Sequence, residues 1–273
     1  MAKTKILITV KTYPTISEKY SELVCTAGFR EDGTWVRIYP IPFRKLDYDA
    51  QYRKYQWIEL ELIKNESDFR PESYSCHFSH ADDVPTVLDS VGTENNWKVR
   101  KELCLKKVYD DLSVLISEAK NNDILTSLAV FKPAEIIDVI CERVERNWSD
   151  GKLEALKQQN LFDEQADNDF KPVRKLPYKF SYKFRDKNGT ESTLMIGDWE
   201  IGMLYWNCLK RSGGDEQVAL SKVRQKYFDT FVNNNEVYLF LGTTKEHHIR
   251  RSKNPFIIVG VFYPPKSPQQ SLF

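Results

Sequence analysis

The residues best suited to chemistry in this sequence are cations set against aromatic rings. From Pro177 to Arg185, the rings of Tyr178, Phe180, Tyr182 and Phe184 are interleaved with Lys179, Lys183 and Arg185. A two-residue period puts the rings on one face of a strand and the cations on the other. Such cations neutralise phosphates, and open rings stack on bases. Residues 171–187 hold seven basic side chains, Lys175 among them, against the single acid Asp186. A second basic group, Lys245, His247, His248, Arg250, Arg251 and Lys253, falls between two strand-like runs. Trp35, Arg37 and Tyr39 share one face of another strand, with Arg44 just beyond it. An Arg between two rings can hold a base or a phosphate. The expected nucleic-acid contacts are therefore Lys175, Lys179, Lys183, Arg185, Lys245, Arg250, Arg251, Lys253 and Arg37. The plainer alternative is a strand with its rings in the core, and a solvated basic loop.

Other constellations are thinner. Cys76-His77-x-x-His80 offers zinc-type ligands, but a structural site needs about four, and no second pair lies at finger-like spacing. Asp150-Gly151-Lys152 and Asp169-Phe170-Lys171 have the acid-x-Lys spacing of a nuclease core, yet both lie in polar surroundings. Asp198 and Glu200 can hold a magnesium ion, or simply cap a helix whose N-terminus favours anions. No glycine-rich phosphate loop, zincin helix or nucleophile elbow is present. The sequence thus predicts no cofactor and no metal site, and it assigns no catalytic residue.

These side chains need a frame. At 273 residues, 41% hydrophobic and 13% aromatic, the chain can fill two modest cores or one large one. A net charge of +1 excludes coating nucleic acid by bulk charge and leaves contact to local patches. No apolar run is long enough to span a membrane, and the opening Met1–Ile6 is too short and polar for a secretory signal. Five scattered cysteines read as reduced core residues of a cytoplasmic protein. Lys5–Lys11, Leu23–Phe29, Thr34–Ile41 and Gln56–Ile63 read as strands, with Glu31-Asp32-Gly33 as a hairpin turn. Leu105, Val108, Leu112, Leu115 and Ile116 keep helical spacing and predict one long helix over Asn96–Lys120. Ala134–Val144 can be helix or strand, and its β-branched residues favour strand. The expected fold class is α+β: a strand-rich domain over 1–148, a linker over 149–176, and a smaller β-β-α-α-β-β domain over 177–264. In that domain Asn188-Gly189 makes a tight turn and Asp198 caps a helix.

The last residues, 265–273, read as a tail. Gln269, Gln270, Ser271, Leu272 and Phe273 resemble the short peptide by which bacterial polymerases and repair proteins dock on the replication sliding clamp. A near copy, Gln158, Gln159, Asn160, Leu161 and Phe162, lies inside the chain. The resemblance implies a Gln at the rim of a preformed pocket, with Leu and Phe on its apolar floor. It puts clamp contact on Gln269, Leu272 and Phe273, and on Gln158, Leu161 and Phe162. Gln270 and Gln159 stand where that motif usually has Leu, which removes one apolar contact. Asp198-Trp199-Glu200-Ile201-Gly202 and Gly260-Val261-Phe262-Tyr263-Pro264-Pro265 are similar to segments of bacterial proteins without an assigned activity. The combined expectation is a cytoplasmic, nucleoid-associated protein with the bacterial sliding clamp and DNA as partners, in replication, repair or foreign-DNA defence. Two other classes stay open: an enzyme on DNA or nucleotides with a site between domains, and a non-catalytic adaptor.

Overall fold

The computed structural model describes residues 3–17, 21–41, 43–76, 84–154 and 172–266. The fold is α+β, in two regions. In the first, β1 (Lys3–Lys11), β2 (Thr15–Ser17), β3 (Ser21–Phe29), β4 (Trp35–Ile41), β5 (Gln56–Glu61), β6 (Ile63–Lys64), β7 (Ser73–Ser75) and β8 (Thr86–Ser90) form one sheet. Its order is β6-β7-β4-β3-β1-β5-β8, with β2 beside β3. Ile6 and Ile8 of β1 pack into a core of this region's own. A bulge between Ile8 and Val10 shifts the register against β3. Val10 then packs into a second core, shared with the other region. A bulge re-aims the residues beyond it, and the residue it re-aims most usefully is Lys11.

The expected long helix is broken in three. α1 spans Glu94–Cys104, β9 spans Val108–Tyr109, and α2 spans Leu112–Lys120. Val108 and Tyr109 pair with Val130 and Phe131 of β10 (Leu128–Phe131), and Asp111 accepts from the amides of Ser113 and Val114 to start a new helix. Sheet pairing and a strong N-cap outweigh the helical spacing of the apolar stripe.

The second region contains β10, β11 (Glu135–Arg143), β12 (Tyr178–Arg185), β13 (Glu191–Met195), α3 (Trp199–Arg211) and α4 (Glu216–Arg224). A π turn over Gln225–Thr230 leads into α5 (Phe231–Asn234), β14 (Tyr238–Thr243), α6 (Lys245–Ile249) and β15 (Phe256–Phe262). One sheet runs β15-β14-β10-β9 and another β11-β12-β13. Since β11 pairs with β12 and β10 with β14, residues from about 108 onward belong with the C-terminal half. The expected boundary at 149–176 therefore cuts across a sheet. A shared core of Val10, Phe29, Leu128, Phe240 and Phe262 joins the regions. Tyr13 locks them further: its amide donates to the Gly197 carbonyl at 2.8 Å, and its ring lies where a Cβ on Gly202 would fall 2.2 Å from Cδ2. Only glycine admits that approach. Among the described residues, no helix is long and apolar enough to cross a membrane.

Candidate functional site

Where β1, α1, α3 and β15 end side by side, the chain leaves a cavity of about 380 Å³. Its cations come from separate elements: Lys11 from the end of β1, Arg53 and Lys54 from the loop before β5, and Arg100 from α1. Its aromatic walls are Tyr55, Trp97, Trp199 and Tyr263. Two backbone contacts hold β1 to the start of α3: Thr12 bridges Asp198, and Tyr13 reaches Gly197.

The cations are not alike. The Lys54 side chain is 7% exposed and donates to Asp198 Oδ2 at 2.6 Å and to Glu200 Oε2 at 3.1 Å. Burial works against its charge, but the two carboxylates outweigh burial and hold the ammonium up at about 12. Asp198 also caps α3, accepting from the Glu200 amide. Burial raises its carboxyl, which Lys54 offsets. Lys54 is thus spent in the structure.

Lys11 has no carboxylate against it among the described residues. Its Nζ lies 4.0 Å from the centre of the Phe43 ring and 4.8 Å from that of Trp199, with the Tyr52 carbonyl accepting at 3.4 Å. Burial, and then the neighbouring Lys54 charge, pull its ammonium down to about 8. Arg100 lies over the Tyr55 ring at 3.9 Å and donates to the Val91 carbonyl at 2.9 and 2.7 Å. Arg53 is exposed at the mouth, and its guanidinium has no ion pair among the described residues. Lys11, Arg53, Lys54 and Arg100 stand against Asp198 and Glu200, which leaves a formal surplus of two positive charges.

The rim stores backbone strain. Tyr55 at φ 60°, Asn95 at 50°, Asn96 at 56° and Trp97 at 61° all take the left-handed conformation. Asn adopts this conformation readily, but for Tyr55 and Trp97 it costs on the order of 1 kcal/mol or more, and such residues cluster at binding sites. A Trp held there is positioned by its surroundings: its ring meets Tyr263 at 5.3 Å and Phe262 at 5.5 Å.

The expected contact residues are placed elsewhere. Tyr178, Phe180, Tyr182 and Phe184 are buried in the core, so they offer no stacking face. On the outer face of β12, Lys179 pairs with Glu142 at 2.6 Å, Lys183 with Glu191 at 2.8 Å, and Arg185 with both Glu135 and Glu191. Three cations meet three carboxylates there. Arg37 is only 2% exposed and donates to the Ser127 side chain and carbonyl at 2.8 and 3.0 Å, so it joins the two regions rather than facing a ligand. Lys175 donates to the Asn147 carbonyl and Lys245 to that of Ser67. Arg250 pairs with Glu246 at 2.8 Å, Arg251 donates to Asn122 at 3.0 Å, and the Lys253 carbonyl accepts from Lys120. Asp150 is exposed and Lys152 lies over Trp148. The tail residues Gln269, Leu272 and Phe273, the inner copy Gln158, Leu161 and Phe162, and His77, His80 and Asp169 all lie outside the described residues. Among the described residues, no group of three or more metal-ligating side chains converges.

No local pattern marks the pocket, because its cations come from three distant points of the sequence: Lys11, the pair Arg53-Lys54, and Arg100. Two of its walls, however, come from the two segments singled out by resemblance: Trp199 with Glu200, and Val261 with Tyr263.

Comparison with known proteins divides the chain as the sheets do. One family model, described as a domain of unknown function (DUF8758), matches residues 2–106, and another, likewise described (DUF8757), matches residues 108–273. The chain belongs to the DUF8757 family. The pocket therefore lies at the junction of the two matched regions, the DUF8758 region supplying its cations and the DUF8757 region supplying Trp199, Glu200 and Tyr263. No curated protein matches the chain. Among solved structures it is similar to a murine DNA-binding protein bound with double-stranded DNA, at 10% identity and a TM-score of 0.30 over 98% of this chain and 99% of that one. Nothing about function is drawn from a similarity of that size.

Proposed function

We propose that this is a DNA-associated protein of the bacterial cytoplasm and nucleoid, recruited to the sliding clamp by its QQSLF tail and contacting nucleic acid at the junction pocket. The observation that carries the nucleic-acid part is the pocket itself: Lys11, Arg53 and Arg100, none with a carboxylate partner among the described residues, set between aromatic walls. Phosphates require the cations, and bases fit the rings. The tail sequence supports the recruitment part. A tether to the clamp raises the effective concentration of a weak DNA binder without new contacts. Replication, repair and foreign-DNA defence all use such recruitment.

The test has two halves. Binding to the purified host clamp should be lost when residues 269–273 are deleted, with the circular dichroism spectrum unchanged. Affinity for an oligonucleotide should fall with rising salt, and substitution at Arg53 should flatten that slope. Clamp binding that survives the deletion removes the recruitment half. A slope unaltered by the Arg53 change removes the pocket from the DNA contact.

A second reading, an enzyme on a nucleotide or a DNA end, is favoured by Lys11 and Glu200 lining one cavity, a base with a lowered proton affinity beside an acid. Turnover of a phosphorylated oligonucleotide that disappears in both Lys11→Gln and Glu200→Gln would select it.

A further inference from the structure

The junction pocket is specific enough in size and charge to narrow its ligand. We infer that it is a site for a nucleoside 5′-phosphate, free or at the end of a strand, with the phosphate against Lys11 and Arg53 and the base against the aromatic wall. The inference rests on the reading of the pocket as a nucleic-acid contact, and it names the chemical group bound there.

Three observations carry it. The first is volume. A cavity of about 380 Å³ is near the lower end of small-ligand sites, which run roughly 300–1,000 Å³, and holds about one nucleotide rather than a length of chain. The second is charge. Four cations and two carboxylates leave a formal surplus of two positive charges. A terminal phosphate carries about −1.5 to −2 near neutral pH, which matches that surplus, whereas an internal diester carries a single negative charge. The third is division of labour. Lys54 is fixed between Asp198 and Glu200 and cannot turn to a ligand without leaving two carboxylates unpaired. Among the described residues Lys11 is held by two rings and the Tyr52 carbonyl, with no carboxylate in contact, so a phosphate would give its ammonium an anionic partner. Arg53 at the mouth adds a two-pronged donor suited to phosphate oxygens. Trp199 and Trp97 line the same space, each with a pocket cation, Lys11 or Arg100, over its ring, and are the rings a base would meet. Glu200, half-exposed, offers an acceptor to a sugar hydroxyl.

Calorimetric titration of the full chain tests this. The probes are inorganic phosphate, deoxyadenosine, deoxyadenosine 5′-monophosphate, and one oligonucleotide with either a 5′-phosphate or a 5′-hydroxyl. The monophosphate should bind at least tenfold more tightly than either phosphate or the nucleoside alone. Lys11→Gln and Arg53→Gln should each weaken it at least tenfold, while Lys179→Gln on the outer face of β12 should leave it unchanged. Arg53 is exposed, so its variant keeps the test valid even if the Lys11 variant folds poorly. If the 5′-phosphorylated strand displaces the monophosphate and the 5′-hydroxyl strand does not, the source is a strand end. If neither strand displaces it, the source is the free nucleotide. Equal binding of nucleoside and monophosphate, or monophosphate binding untouched by both pocket variants, overturns the inference. Clamp and oligonucleotide binding that persist in those variants would then leave the broader reading standing without this site. Monophosphate binding without any clamp or DNA binding would do the reverse.

Discussion

The two regions of this chain meet at two places that both bury cations, and the two places are built to opposite ends. At one, Arg70 donates to both oxygens of Asp68 and to the Thr243 carbonyl at 2.7 Å, while Arg37 reaches Ser127, which in turn donates to Glu72 at 2.7 Å. Burial works against the Asp68 carboxylate, but the Arg70 hydrogen bonds outweigh it and hold the carboxyl down at about 2. The Arg70, Asp68, Arg37 and Glu72 side chains there find partners within the chain, and the seam closes. At the other, among the described residues, Lys54 alone is matched by acids, and Lys11, Arg53 and Arg100 line an open cavity. A buried charge with its partner in the chain is a clamp; one without is a site waiting for a partner from outside. Left-handed residues occur on both sides of this divide: Tyr55 and Trp97 line the pocket, while Leu125 and Arg251 lie near the closed seam.

The sharpest way to break the comparison is at the closed seam. Arg70→Met leaves Asp68 buried and unpaired and should cost roughly 3–5 kcal/mol of stability in denaturant unfolding. A loss below about 1 kcal/mol would mean that the seam is no clamp. The matching change in the pocket is Lys11→Met. It removes a charge that burial disfavours, so stability should shift by less than about 1 kcal/mol while phosphate-ligand affinity falls at least tenfold.

The proton affinity of Lys11 sharpens this. Its ammonium titrates near 8 in the folded chain and near 10.5 when unfolded. Between those values the unfolded chain holds the extra proton, so the Lys11 contribution makes stability rise with pH. Ligand affinity should fall over the same window as Lys11 loses its charge. The groups that set this titration are Lys54, Asp198 and Glu200, with Arg53, Arg100, Tyr55 and Tyr263 around the same cavity. Opposite slopes in wild type, with the Lys11 contribution gone from Lys11→Met, are the expected result. Parallel slopes would contradict it. The smallest effect belongs to the outer face of β12. Breaking the exposed Lys179–Glu142 pair with Lys179→Gln should change stability by less than about 1 kcal/mol.

The features decided by neighbouring residues are legible in the sequence. Gly33 at φ 83° and Gly189 at 77° turn the two expected hairpins, Asp198 caps α3, and Glu135–Arg143 is the strand its β-branched residues favour. What failed were inferences that needed a partner from elsewhere in the chain. The basic stripe of β12 looked cationic because its acids, Glu142 and Glu191, sit on neighbouring strands. The helix across residues 96–120 broke because Val108 and Tyr109 find a strand partner at Val130 and Phe131. The pocket joins Lys11 to Tyr263 through a bulge, a left-handed turn and a helix start, and its lining comes from residues 11, 53–55, 97, 100, 199, 200, 261 and 263, which no short window of sequence spans.

The most direct measurement is a crystal structure of the protein grown with deoxyadenosine 5′-monophosphate. The account predicts the phosphate within hydrogen-bond distance of Lys11 and Arg53, the base against Trp97, Trp199 or Tyr263, and Lys54 still on Asp198. An empty junction pocket at saturating nucleotide, or a phosphate bound instead along β12, would contradict it.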